Sequence, residues 1–134
     1  MYNSPMKNCI FCKIANKEIP AYIFWENENF IAFLDIFPVI PGATVVISKK
    51  HHPSYIKNTP KELVADIMEA MQEVMEILDS KLEGNLRTKL IFEGLEVDHL
   101  HAKLWPIYKG IREKTPEKSA DGKALEKLAQ KLRN

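Results

Sequence analysis

The 134-residue chain suits one domain of common size and is short for two, so residues 1–134 are read as a single domain. Nineteen Lys and Arg against eighteen Asp and Glu leave a net charge of +1, without the basic excess of a dedicated nucleic-acid or membrane-surface protein. With 46% hydrophobic and 28% charged residues, no apolar run near the roughly 20 residues of a membrane span, and a polar stretch from Met1 to Asn8 unlike a signal peptide, the composition predicts a soluble cytoplasmic protein.

In chain order, Cys9-x-x-Cys12 comes first and holds both cysteines. Segments 21–26 and 30–36 are rich in aromatic and branched residues and read as strands, joined by the turn Asn27-Glu28-Asn29. A third strand, 43–48 (ATVVIS), follows the turn Pro41-Gly42, and the pair His51-His52 comes shortly after. The spacing then predicts a helix over 60–82. Thr59-Pro60-Lys61-Glu62 has the capping-box pattern, and Gly84 stands where a C-terminal cap belongs. Between them Leu63, Val64, Ile67, Met68, Met71, Val74, Met75, Leu78 and Leu82 recur at helical spacing. Such a helix runs roughly 33 Å at about 1.5 Å per residue, enough to lie across a sheet. Strands over 87–93 and 99–105 flank Gly94, and a second helix covers 122–132 with Leu125, Leu128 and Leu132 on one side. The fold class is α+β: a mostly antiparallel five-stranded sheet with one long helix and a C-terminal helix.

Charge is segregated along this order. Residues 61–83 carry seven acids and two bases, whereas 103–134 carry nine bases and four acids. Solvated faces that lie near each other account for this most simply, and a basic segment for an acidic partner is the alternative.

The residues with chemistry to offer are the two cysteines and four histidines. Strand alternation puts His99, His101 and Lys103 on one face and Leu100, Ala102 and Leu104 on the other, toward a core. Close cationic groups call for a metal or an anion to compensate them, although an exposed polar sheet face would show the same pattern. The C-x-x-C is open to reading as reduced thiols, metal ligands or a redox pair, and it precedes every predicted strand, unlike a thioredoxin-type motif. Two thiolates with two imidazoles would complete a zinc site, and His51 and His99 are available for it.

Several segments in order resemble the histidine triad (HIT) family. They are Cys9-Ile-Phe-Cys12-Lys-Ile14, Glu18-Ile-Pro20, Ala32-Phe-Leu-Asp35, Val46-Ile-Ser-Lys-Lys-His51 and Gly94-Leu-Glu-Val-Asp-His-Leu-His-Ala-Lys-Leu-Trp-Pro106. The likeness spans roughly residues 9–108. It implies a hydrolase or transferase acting on the α-phosphate of purine nucleotide conjugates, such as dinucleoside polyphosphates or nucleoside phosphoramidates, with His101 as the nucleophile that forms a nucleotidyl-histidine intermediate. It implies a structural zinc on Cys9, Cys12, His51 and His99, leaving His52 without a role. Asp35 corresponds to the acid that accepts hydrogen bonds from the ribose, and Phe11, Ile14, Ile19, Phe33 and Ile36 to the apolar enclosure of the base. A homodimer joined through the long helix and an edge strand is also implied, with Met68, Met71 and Met75 shared between core and interface.

Two departures bear on turnover. Lys103 stands where the family has its third histidine, and is expected to anchor phosphate with its fixed charge and to disfavour the protonated form of His101. Leu95 and Glu96 stand where Gln and a hydroxyl residue contact phosphate and leaving group, and a carboxylate at Glu96 would repel phosphate if it pointed inward. An enzyme is the first reading. A nucleotide-binding module with little or no turnover is the second, and a zinc-stabilised interaction protein the third.

Overall fold

The computed structural model describes residues 8–134, so most of the polar N-terminal stretch read above lies outside the described residues. A short helix, α1 (Ile10–Ala15), precedes a hairpin of β1 (Ile23–Glu26) and β2 (Phe30–Leu34). Next come β3 (Thr44–Ser48), one 3-10 turn at Ile56–Asn58, the long helix α2 (Lys61–Lys81), β4 (Asn85–Ile91), β5 (His101–Tyr108) and α3 (Gly122–Arg133). The strands form one sheet in the order β1-β2-β3-β5-β4 with every neighbouring pair antiparallel. Fold class, strand number and both expected helices agree with the sequence reading. Among the described residues, no helix is long and apolar enough to cross a membrane.

Local chemistry explains the connections. The β1–β2 hairpin closes through Asn27, whose side-chain oxygen accepts the backbone N–H groups of Asn29 and Phe30 at 2.9 and 2.8 Å. The capping box expected at Thr59 does not form: Pro60 is the N-cap residue of α2, and the Thr59 hydroxyl donates back to the Tyr55 carbonyl at 3.1 Å. The preceding 3-10 turn claims that hydroxyl. At the other end Gly84, with φ +84°, reverses the chain into β4. The helix α1 was not anticipated, because six residues give no periodicity to detect.

The central strands are buried on both faces. On one side Phe30, Ala32, Leu34, Val46, Ala102 and Leu104 pack against Ile67, Ala70, Met71, Val74 and Leu78 of α2 and Leu125, Ala129 and Leu132 of α3. At roughly 1.5–3 kcal/mol for each large apolar side chain removed from water, this layer carries most of the stability. Met71 is fully buried there, so it belongs to the core, whereas Met68 is exposed. The acidic helix and the basic one therefore meet through apolar residues. On the opposite face Ile31, Phe33, Val45 and Ile47 form a smaller cluster with Ile14 of α1, flanked by Phe11 and Ile19. This second layer is incomplete, and the gap in it is the candidate site.

Candidate functional site

Register places the chemistry. Phe33 pairs with Val45, Val45 with Lys103 and Lys103 with Ile91, while Ile31 pairs with Ile47 and Ile47 with His101. His101 and Lys103 thus share the sheet face that α1 covers only in part. Strand β5 begins at His101, later than expected, so His99 and Leu100 belong to the approach to the strand. The predicted alternation nevertheless holds: Leu100, Ala102 and Leu104 are fully buried in the helix-side core.

Cys9 is the N-cap residue of α1, and its sulfur accepts the Cys12 backbone N–H at 3.3 Å. That turn brings both sulfurs toward the two segments that carry His51 and His99. These segments are tied by backbone hydrogen bonds, from the Leu100 N–H to the His52 carbonyl at 2.7 Å and from the Ser48 N–H to the Leu100 carbonyl at 3.1 Å. His52 contributes through its backbone. The His99 Nε2 lies 2.7 Å from the Ser48 carbonyl. A carbonyl only accepts, so Nε2 carries the hydrogen and the Nδ1 lone pair faces the thiols. Nδ1 of His99 stands 3.2 Å from the Cys9 sulfur and 3.4 Å from that of Cys12, and Nδ1 of His51 stands 3.2 Å from Cys12. One donor atom from each of the four residues falls within 4.8 Å of every other. Around a tetrahedral ion with arms of about 2.0–2.3 Å, neighbouring donors stand about 3.5 Å apart, so set and spacing fit a metal. Burial pushes His99 down to about 4, which keeps it neutral, the form a metal ligand needs. Cys9, Cys12, His51 and His99 together form a candidate metal-binding site.

His101 follows directly. Its Nδ1 lies 2.6 Å from the His99 carbonyl, so the same logic puts the hydrogen on Nδ1 and leaves Nε2 with an available lone pair. The Phe11 ring meets the imidazole edge-on at 4.8 Å. His101 is 5% exposed, and burial lowers its pKa below 6.5. Lys103 lowers it further by like-charge repulsion, while the hydrogen bond to His99 and the charge of Glu93 oppose the shift. The expected effect of Lys103 is present, but it is secondary to desolvation.

A cavity of about 550 Å³ opens over these two residues. Phe33, Val45, His101, Lys103 and Trp105 supply its floor, and Ile10, Phe11 and Ile14 of α1 one wall. All the residues expected to contact nucleotide line it: Phe11, Ile14, Ile19, Phe33, Asp35, Ile36, His101 and Lys103. Asp35 follows β2 and accepts the Phe37 N–H at 2.9 Å with one carboxylate oxygen, so it shapes its own turn while presenting to the cavity. Several lining residues were not anticipated. Trp105 lies two residues beyond Lys103, and continuing the alternation would have found it. Glu93, whose carboxylate is 3.9 Å from the Lys103 ammonium, required the β4–β5 register. Thr115 and Pro116 come from an irregular segment that carries no periodic signal.

Glu93 and Glu96 reach the cavity because Gly94 adopts φ +72° between them and the neighbouring chain is pinned. The buried Ser54 hydroxyl donates to the Gly94 carbonyl at 3.1 Å and to Asp98 at 3.0 Å, and the Ser54 N–H donates to the same carboxylate oxygen at 2.8 Å. A Cβ on Gly94 would lie 2.3 Å from the Ser54 Oγ.

Known proteins share this fold. A hypothetical histidine triad nucleotide-binding protein from Sulfolobus tokodaii superposes with a TM-score of 0.82 at 27% identity, over 93% of this chain and 89% of its own. A zinc-bound histidine triad family protein from Mycobacterium smegmatis superposes with a TM-score of 0.77 at 27% identity, over 94% and 91%. The adenosine 5'-monophosphoramidase of Candida albicans is 32% identical over 139 aligned positions, 94% of this chain and 90% of that enzyme. The HIT domain model itself matches residues 16–109, which include the cavity floor and both histidines of the signature, and the chain belongs to the HIT domain family.

Proposed function

We propose that this protein is a nucleotide hydrolase or transferase acting on the α-phosphate of purine nucleotide conjugates, with His101 as the nucleophile. The observation that carries the reading is the hydrogen bond from His101 Nδ1 to the His99 carbonyl, which orients a neutral imidazole with Nε2 available beside Lys103. In the first step Nε2 forms a bond to phosphorus. The bond from phosphorus to the leaving group breaks, its electron pair goes with the leaving group, and a leaving amine takes up one proton. Water then attacks the phosphorus, the bond to His101 breaks, the nucleotide is released, and the proton taken up earlier is returned.

The remaining side chains bind. Lys103 holds the phosphate oxygens, Asp35 accepts from the ribose hydroxyls with the oxygen that its turn does not use, and Phe11, Ile14, Ile19, Phe33 and Ile36 enclose the base. The metal on Cys9, Cys12, His51 and His99 is zinc in a closed four-ligand site, and it supplies a cross-link, tying α1 to the approach of β5. Thiolate ligands require reduced cysteines, which suits the cytoplasm. Partnership is with a second copy of this chain through α2 and the edge strand β4, where Leu86 and Leu90 are exposed.

The test is incubation with adenosine phosphoramidate and diadenosine tetraphosphate, followed by intact-mass measurement. A nucleotidyl adduct that maps to His101 and is absent from His101→Ala is the expected result. An adduct that survives in His101→Ala would remove His101 as nucleophile. Binding without product would favour the second reading, a nucleotide-binding module; the carboxylates of Glu93 and Glu96 in the cavity are what support it.

A further inference from the structure

Among the described residues, the charged side chains that line the cavity are Asp35, Glu93, Glu96 and Lys103. With His101 neutral, they sum to −2, an unexpected balance for a cavity that is to receive phosphate. The sign is not evenly spread. Asp35 follows β2, on the far side of β3 from His101, whereas Glu93 and Glu96 flank Gly94 in the connection from β4 to β5. Glu93 sits 3.9 Å from the Lys103 ammonium, the fixed positive charge among the described lining residues. Glu96, exposed like Glu93, adds a further carboxylate to the lining. The backbone that carries both glutamates is held by the contacts of Ser54 with Gly94 and Asp98.

We infer that Glu93 and Glu96 are specificity-determining residues that make the leaving-group side of the cavity select amines bearing a distal positive charge and reject polyphosphates. This rests on the reaction proposed above. A phosphoramidate monoester brings a single negative charge, which Lys103 can hold. A polyphosphate leaving group brings several more, and each would face the two exposed carboxylates with the same sign of charge. An amine with a second ammonium group meets those carboxylates with the opposite sign. As it leaves, the bond from nitrogen to phosphorus breaks, its electron pair stays on nitrogen and one proton neutralises it, so the distal ammonium is the charge that the carboxylates distinguish.

The experiment compares kcat/KM for three adenylyl substrates: the phosphoramidate of butane-1,4-diamine, that of pentylamine, which has a methyl group in place of the second ammonium, and diadenosine tetraphosphate. The expected order is diamine over alkylamine by about tenfold, with the tetraphosphate slowest. In Glu93→Gln/Glu96→Gln the diamine-to-alkylamine ratio falls to within about twofold of unity. In the wild type 0.5 M NaCl reduces the ratio at least threefold, because the discriminating charges are solvent-facing. The salt arm needs no variant and so holds even if the double substitution fails to fold. Equal kcat/KM for the two amines in the wild type overturns the inference while leaving the reaction intact. A ratio unchanged in a folded double variant also overturns it. No turnover of any of the three substrates removes the inference together with the reaction on which it rests.

Discussion

Replacing Gly94 with Ala tests the clasp that shapes the cavity wall. A side chain at φ +72° costs about 1.5 kcal/mol of backbone strain. The new methyl also falls 2.3 Å from the Ser54 Oγ and 2.5 Å from its Cβ, so Ser54 must move. Displacing it breaks the hydrogen bond that the one hydroxyl hydrogen shares between the Gly94 carbonyl and Asp98, worth about 2 kcal/mol for a charged acceptor. The sum is roughly 3.5 kcal/mol. At about 2.1 cal/mol/K per residue, unfolding of 134 residues carries about 0.28 kcal/mol/K, so Tm should fall by about 12 °C. The clash vanishes in a Ser54→Gly background, where Gly94→Ala should cost only the strain, about 5 °C. Calorimetry on the wild type, both single variants and the double variant measures the coupling directly. Strictly additive Tm shifts would refute the clasp, and a Gly94→Ala loss below about 3 °C would refute the strain argument as well.

Lys103→Met should weaken AMP binding by about 10- to 100-fold, the worth of one charge-assisted hydrogen bond to phosphate, as read by isothermal titration calorimetry; an unchanged Kd would leave Lys103 a surface lysine. Protein purified without chelator should contain about one zinc per chain by plasma mass spectrometry. Stripping that zinc should lower Tm by at least 10 °C and free both thiols toward a thiol reagent, whereas thiols reactive before stripping would count against the site. Cys12→Ser should reproduce the loss of metal and of stability, because it removes a buried ligand. Leu104→Ala opens a cavity in the fully buried layer against the helices and should cost about 3 kcal/mol in urea unfolding; a cost under 1 kcal/mol would mean that the layer repacks.

What could be seen in advance depended on how regular the pattern was. The alternation of His99, His101 and Lys103 against Leu100, Ala102 and Leu104 survives even though the strand begins only at His101, because burial on two faces imposes the period before the ladder starts. The long helix was legible from apolar spacing, while its N-terminal cap was misread, since the Thr59 hydroxyl is claimed by the turn before it. The four metal-ligand candidates were named through the family likeness; that they converge depends on two backbone hydrogen bonds between distant segments, which no local spacing encodes. Glu93 escaped for a similar reason. Its proximity to Lys103 is a property of strand register, not of the interval between the two residues.

The register that pairs Phe33 with Val45, Val45 with Lys103 and Lys103 with Ile91 matches odd-numbered residues with odd-numbered ones across four strands. Parity alone therefore sorts this sheet into two inheritances. In β2, β3 and β5 the even positions face the helices, and variation there is felt as folding or failure to fold. The odd positions of these strands face the other way: Phe33, Val45, His101, Lys103 and Trp105 line the cavity, where variation can change chemistry while the molecule stays intact, and Ile31 and Ile47 are buried with Ile14 of α1. A saturation scan scored separately for abundance and for turnover should show the two readouts alternating residue by residue, and the insertion of one residue after Leu100 should exchange them along β5. The two functions of this sheet can then be altered independently by single substitutions, but a shift of register would disturb both at once.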